Sequence, residues 1–284
     1  MQRKILVTGS TGKVGTYLSQ ALQKSGGQPH VLGVRSLNCE TQEGSVERRR
    51  FDWDDRTTWS SALDGIQAVY LIKPPHDEPA PAIRELLASA SRLERVVMMS
   101  EIHCQAQNDT EPQRAAEVAV ERSGHSFCIL RPNWFFQNYT TGSYAPKIRQ
   151  QSILETASAS QPVSYIDVRD VAAVAAFELL NDDARSHHLL LTGGEALTSR
   201  DLANIIGAAA GRPISVSEVP LDDIRTRVLA RGGSEAMADF IVGLSRNIAE
   251  GRNAIVTDTV ERLTGRKPIS FSTFASQNAQ FFND

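Results

Sequence analysis

Val7-Thr8-Gly9-Ser10-Thr11-Gly12-Lys13-Val14-Gly15 sets three glycines three residues apart. An apolar segment, Lys4 to Val7, precedes them, and Tyr17, Leu18, Ala21 and Leu22 follow at helical spacing. Strand, glycine turn and helix in that order open an alternating α/β fold. The first glycine permits a tight turn and the second lets backbone approach a pyrophosphate. The third lets the helix pack close to the strand, and the positive end of the helix meets the phosphate charge. Gly9, Ser10, Thr11, Gly12, Lys13, Val14 and Gly15 are therefore the expected cofactor contacts.

Outward from this turn the alternation continues. Strands are expected at Val31 to Val34, Ser45 to Phe51, Ala68 to Ile72, Arg95 to Met99 and Phe127 to Leu130, with helices near Arg56 to Leu63, Ile83 to Ala90 and Pro112 to Ser123. The strands are short, nearly continuous apolar runs, as expected when helices cover both faces of a parallel sheet. After Arg131-Pro132 the pattern breaks, and Asn133 to Ser164 is rich in aromatic, Gln, Ser and Thr residues. A helix at Asp167 to Leu180 and a strand at Leu189 to Leu191 follow. Thr198-Ser199-Arg200-Asp201 reads as a capping box opening a helix to Ala210. A strand at Ile214 to Val219 and helices at Leu221 to Gly232, Glu235 to Glu250 and Asp258 to Gly265 complete the chain. The expectation is an α/β protein with a Rossmann-type doubly wound parallel sheet over 1–132, to which 165–192 return. A smaller, mainly helical substrate-binding region takes 133–164 and 193–284.

Composition narrows the class. The 284 residues are 41% hydrophobic and 22% charged, which excludes a disordered, collagenous or disulfide-stapled chain. A net charge of -3 gives no basic excess for a phosphate backbone, so nucleic acid is not an expected partner. No apolar run is long enough to cross a bilayer, and the first residues carry no secretory h-region. Cys39, Cys104 and Cys128 are odd in number and scattered, which reads as reduced thiols in a cytoplasmic protein. No metal-ligand spacing appears, and His187-His188 are adjacent where a helical metal site would separate its ligands.

The cofactor's identity rests on the end of the second strand. Where a carboxylate would accept the ribose hydroxyls of NAD, the chain reads Gly33-Val34-Arg35-Ser36. Arg35 suits a 2′-phosphate and Lys13 adds a second charge, so NADP(H) is the expected cofactor. Asp52 is placed to touch the adenine, and a turn-forming Asp is nearly as good a reading.

These residues resemble the short-chain dehydrogenase/reductase superfamily, and more narrowly its atypical NmrA-like branch. The resemblance rests on the glycine turn, on Tyr70-Leu-Ile-Lys-Pro-Pro75 and on Ser123-Gly124. It rests further on Ile129-Leu-Arg-Pro132, Trp134-Phe-Phe-Gln-Asn138 and Ile166-Asp-Val-Arg-Asp-Val-Ala172. Leu263-Thr-Gly-Arg-Lys-Pro268 with Phe271 and Phe274 looks like the festuclavine synthase and ergot-alkaloid dehydrogenase subgroup. That subgroup reduces iminium ions with NADPH. The superfamily's catalytic Tyr and Lys would fall at about Asp109 and Gln113, and neither is present. This argues against ordinary carbonyl reduction but not against iminium reduction, because an iminium carbon accepts hydride without a proton donor.

Ligands in doubly wound sheets sit beyond the carboxyl ends of the strands. Lys73, Pro74, Ser100, Glu101 and Pro132 all follow strands. Lys73, Glu101 and Asp109 are the candidate catalytic groups, and Lys73, Pro74, Ser100 and Pro132 candidate cofactor contacts. Glu101, Trp134, Phe135, Phe136 and Tyr139 are candidate substrate contacts, the aromatics suiting a flat, hydrophobic, alkaloid-like cation. His103 reads as a surface residue, and Glu117 and Asp170 as structural. The expected activity is NADPH-dependent reduction of an imine, iminium or conjugated system in alkaloid or other secondary metabolism, with cyclisation of the reduced product as an extension. The competing readings are a non-catalytic NADP(H) sensor and a quinone or azo reductase. The expected form is a monomer or homodimer.

Overall fold

The computed structural model describes residues 3–36, 42–43 by backbone alone, 45–182 and 185–283. Cys39 and the first two residues lie outside the described residues. Along the chain run β1 (Ile5–Val7), α1 (Lys13–Lys24), β2 (His30–Val34), β3 (Gln42–Glu43), β4 (Val46–Arg50), α2 (Trp59–Leu63), β5 (Ala68–Ile72) and α3 (Ala80–Ser89). Then come β6 (Arg95–Met99), α4 (Pro112–Glu121), β7 (Ser126–Pro132), α5 (Ala145–Gln151), β8 (Ile153–Thr156), α6 (Val168–Leu180) and β9 (His187–Leu191). The last stretch holds α7 (Ser199–Ala210), β10 (Ser215–Glu218), α8 (Leu221–Ala230), α9 (Glu235–Ala249), α10 (Thr259–Thr264) and α11 (Phe271–Gln277).

Two compact units divide these elements, one holding residues 1–132 and 168–191, the other 133–167 and 192–284. Tyr165 to Asp167, expected to return with the sheet, belong to the second unit.

In the first unit the strands order as β3-β4-β2-β1-β5-β6-β7-β9. All neighbours pair in parallel except the two-residue β3, which is antiparallel to β4. The chain steps from β1 outward to β2 and β4, then returns to place β5 on the other side of β1. That reversal makes the carboxyl end of β1 the topological switch point where ligands bind in such sheets. Leu6, Val69, Leu71, Val96, Met98 and Ile129 share one buried cluster with Ile83, Leu86 and Leu87 of α3 and Ala116, Ala119 and Val120 of α4. Helices α1 and α6 pack on one another. A central strand therefore has no solvent face, which is why its sequence does not alternate.

Charged side chains are sunk in this unit, Arg95, Glu117 and Glu178 among them. Arg95, the first residue of β6, is fully buried, and its Nη2 lies 2.5 Å from Glu178 Oε2 while its Nε donates to the Glu178 carbonyl at 2.8 Å. Full pairing makes the burial tolerable.

The second unit is mainly helical. Its β8 and β10 form a separate two-stranded parallel sheet, with Leu154 opposite Val216. The capping box is present, Thr198 accepting from Asp201 N and the Asp201 carboxylate accepting from Thr198 N. The segment read as irregular also contains α5, with a proline in its first turn, and α11 was not expected at all.

Candidate functional site

The glycine turn is held by its neighbours before any ligand is considered. Thr8 Oγ1 donates to Tyr70 O and accepts from Ile72 N, both at 2.9 Å, which ties β1 to β5. Ser10 Oγ donates to Gly33 O at 2.8 Å and ties the turn to β2. Gly9 has φ +59°, the left-handed region that only glycine enters at little cost. At Gly15 a Cβ would stand 2.3 Å from Gly9 O and 2.8 Å from Ser10 Cα, so helix and turn touch backbone to backbone.

Gly12 is the N-cap of α1, and among the described residues no side-chain capping bond is made there. The positive end of this twelve-residue helix lies at the switch point of the sheet. The cradle fits a dinucleotide pyrophosphate. Beside it a cleft of about 440 Å³ is lined by Ser10, Thr11 and Thr16, by Leu32 and Val34 of β2, and by Val46 and Arg48 of β4. Arg35 is exposed just past β2. Arg48 is a further cation here that the sequence reading did not single out. Asp52 has the turn role, its Oδ1 accepting from Asp54 N at 3.1 Å and its carbonyl accepting from Trp59 Nε1 at 2.8 Å.

Beyond β5 and β6 the structure brings Lys73 and Glu101 together. Lys73 Nζ lies 2.7 Å from Glu101 Oε2 and also donates to Gln113 Oε1 on α4. The two strands are hydrogen-bonded neighbours, Ile72 opposite Met99, so residues just past their ends meet. Glu101 Oε1 is buried and has no hydrogen-bond donor among the described residues. Asp109 is not part of this group. It is exposed and pairs with Arg114 at 3.3 Å and Arg122 at 3.5 Å.

Ser100 is committed elsewhere, donating at 2.6 Å to Glu117 Oε1. Glu117 is fully buried and also receives Arg131 Nε at 2.9 Å, Arg131 Nη2 at 2.6 Å and Arg114 Nη1 at 2.8 Å. Burial alone would raise its pKa, but the bonds from Arg131 and Ser100 and the Arg131 charge outweigh that and hold the carboxyl at about 2. Burial, helped by the nearby charges of Glu117 and Glu101, pushes the Cys104 thiol up to about 12. Cys128 is likewise raised by burial, so neither thiol is a nucleophile near neutral pH. Pro74 and Pro132 are buried at their strand ends, and Pro132 O accepts from Ile102 N at 3.1 Å.

Among the described residues two triads have metal-compatible spacing, Cys128 with Glu178 and His187, and Glu117 with Glu121 and His188. Arginine already occupies both. Arg95 pairs with Glu178, and Arg114 with Glu117 and Glu121.

In the second unit, Phe136 and Tyr139 are core. Phe136 meets Phe271 edge-on at 5.0 Å and Tyr139 stacks on Tyr144 at 5.2 Å, both nearly without exposed surface. They were expected to line a pocket, but an aromatic run does not reveal which rings face inward. Trp134 and Phe135 are only half-buried.

A family model described as NAD(P)H-binding matches residues 9–183. An uncharacterized oxidoreductase, YesF, of Bacillus subtilis is 32% identical, the match covering 99% of this chain and 97% of that protein. A (4-alkanoyl-5-oxo-2,5-dihydrofuran-3-yl)methyl phosphate reductase of Streptomyces griseus is 30% identical over 98% of this chain and 99% of its own. Agroclavine dehydrogenase of Claviceps fusiformis is 28% identical over 96% of each chain.

Proposed function

From the premise that this chain belongs to the NAD(P)H-binding family, we propose that it is an NADPH-dependent oxidoreductase of the NmrA-like type that reduces an imine, iminium or conjugated system in a small molecule. The observation that carries this reading is the Lys73–Glu101–Gln113 cluster past the ends of β5 and β6. Gln113 stands where the resemblance would place the superfamily's catalytic lysine, and Lys73 brings an ammonium to that side chain from a neighbouring strand.

NADPH, when bound, supplies a hydride. Gly9, Gly12, Lys13, Val14 and Gly15 would hold its pyrophosphate, and Arg35, with Arg48 nearby on β4, would take the 2′-phosphate. Lys73 can keep a proton at the nitrogen of an imine or deliver one after reduction of a conjugated bond, and Glu101 orients it. An iminium carbon needs no donor, so positioning supplies most of the rate. The names of the Streptomyces and Claviceps relatives, a dihydrofuranyl phosphate reductase and a dehydrogenase of agroclavine, support the oxidoreductase class, with a role in secondary metabolism. Asp109, exposed and bound to two arginines, is the least supported of the three candidate catalytic groups.

Mixing the protein with NADPH and a panel of cyclic iminium ions, enones, quinones and ketones tests the reading. Substrate-dependent loss of the nicotinamide absorbance is expected with the first two classes and not with ketones. Binding without turnover on any of them would instead favour a sensor. Arg35→Ser is expected to weaken NADPH binding about 10–100-fold, the worth of one charge-assisted hydrogen bond, and to leave NADH nearly unchanged. Fluorescence titration of the two cofactors checks this, and equal losses for both would remove Arg35 from the 2′-phosphate site.

A further inference from the structure

We propose that Glu101 Oε1 is the substrate's hydrogen-bond acceptor, so that the enzyme selects reducible cations carrying an N–H, a protonated imine, over otherwise identical N-alkylated iminium ions. The inference rests on the proposed reductase reading and names the substrate class of that site.

Three observations carry it. Glu101 Oε2 is satisfied by Lys73 Nζ at 2.7 Å, whereas Oε1 is buried with no donor among the described residues. Leaving a buried carboxylate oxygen unpaired costs more than leaving a neutral one, so such a group persists where something else supplies the donor. Gln107 Oε1, later in the same connection between β6 and α4, is a second buried acceptor oxygen with no donor among the described residues. An anionic acceptor such as Glu101 Oε1 calls for a ligand that gives hydrogen bonds rather than one that takes them, which sets quinones and ketones apart from protonated imines. Between Glu101 and Gln107 lies His103, a non-glycine residue at φ 69°, a left-handed conformation costing about 1–2 kcal/mol. His103 is where the backbone of this connection is strained.

The reaction balances without a further reagent. The new C–H bond takes the hydride supplied by NADPH, the π pair of C=N becomes the nitrogen lone pair, and the N–H proton stays on the nitrogen beside Glu101. The substrate is reduced and NADPH oxidised.

The test compares dihydroisoquinolinium with its N-methyl analogue, at a pH where the imine is protonated. The two share ring and charge and differ in one N–H. The wild-type protein is expected to favour the N–H form on the order of 100-fold in kcat/KM, the worth of one charge-assisted hydrogen bond. In E101Q, where the amide N–H₂ can face the substrate while its oxygen keeps Lys73, the ratio is expected to fall to near one. Calorimetry with the non-reducible pair tetrahydroisoquinolinium and its N,N-dimethyl quaternary analogue reads the same preference without turnover. Equal reduction of the two imines by the wild-type protein overturns the inference and leaves the reductase reading standing. N–H-selective binding with no reduction supports Glu101 as acceptor and removes the reductase reading. The wild-type comparison decides even if E101Q does not fold.

Discussion

Gly15→Ala is expected to reduce NADPH affinity on the order of 100-fold, about 2.8 kcal/mol at 1.4 kcal/mol per tenfold, while far-UV circular dichroism stays near that of the parent. The added Cβ would stand 2.3 Å from Gly9 O, 2.8 Å from Ser10 Cα and 3.0 Å from Gly9 C. All three are backbone atoms and cannot rotate away, so the helix start must move off the turn. The turn is fixed in its turn by Ser10 Oγ on Gly33 O and Thr8 Oγ1 on Tyr70 O. The first turn of α1 is therefore displaced from the place where phosphate would sit. Gly243→Ala is the control, because a Cβ there meets nothing within 4 Å and lies inside α9. It should leave binding unchanged and raise stability by up to about 1 kcal/mol. Equal cofactor affinity in the Gly15 variant and its parent would show that the cradle is not the binding site.

Glu117→Gln is expected to lower stability by about 3–5 kcal/mol, the usual effect of removing one partner from a buried ion pair. The amide keeps the shape but leaves Arg131 and Arg114 without their shared anion in a site where Glu117 has no exposed surface. Thermal unfolding should show a fall in Tm on the order of 10 °C. The same group sets an acid limit. Its folded pKa of about 2 lies below the ordinary carboxyl value near 4.3, so the unfolded chain binds the proton more readily. This contribution, about 3 kcal/mol by the size of the shift, is complete above the unfolded pKa and disappears as pH falls from about 4.3 toward 2. Denaturant melts along that range should show the parent losing stability faster than the glutamine variant. Parallel curves would mean that the carboxylate does not carry the charge of the network.

The contrast between these two residues shows what a sequence makes legible. The glycine turn is a local object: the spacing of three glycines, a strand before and a helix after are all contained in one short stretch, and the sheet built around it follows from repeated apolar runs. Glu117 and Arg131 are held together by tertiary packing alone, since helix α4 and strand β7 must fold before their side chains meet. Sequence reasoning could place Lys73 and Glu101 past two strand ends, but only the order β5-β6 makes them neighbours. It placed Asp109 by counting back from a motif, and the arginines of α4 and its end hold that carboxylate on the exposed face. Phe136 and Tyr139 illustrate a different limit. Aromatic rings suit a pocket and a core equally, and the partners that decide, Phe271 and Phe274, come more than a hundred residues later. Helix α5 and strand β8 are too short for periodicity to register.

Hydride transfer from NADPH to a carbon of a small molecule is the step on which the proposed activity stands. Single-turnover reaction of the protein with NADPH deuterated at the reactive nicotinamide carbon and a protonated cyclic imine, followed by mass spectrometry of the product, tests it most directly. One deuterium is expected on the former imine carbon, with an amount of product that matches the cofactor oxidised. Tight NADPH binding with unlabelled, unreduced imine recovered across the whole substrate panel would contradict it.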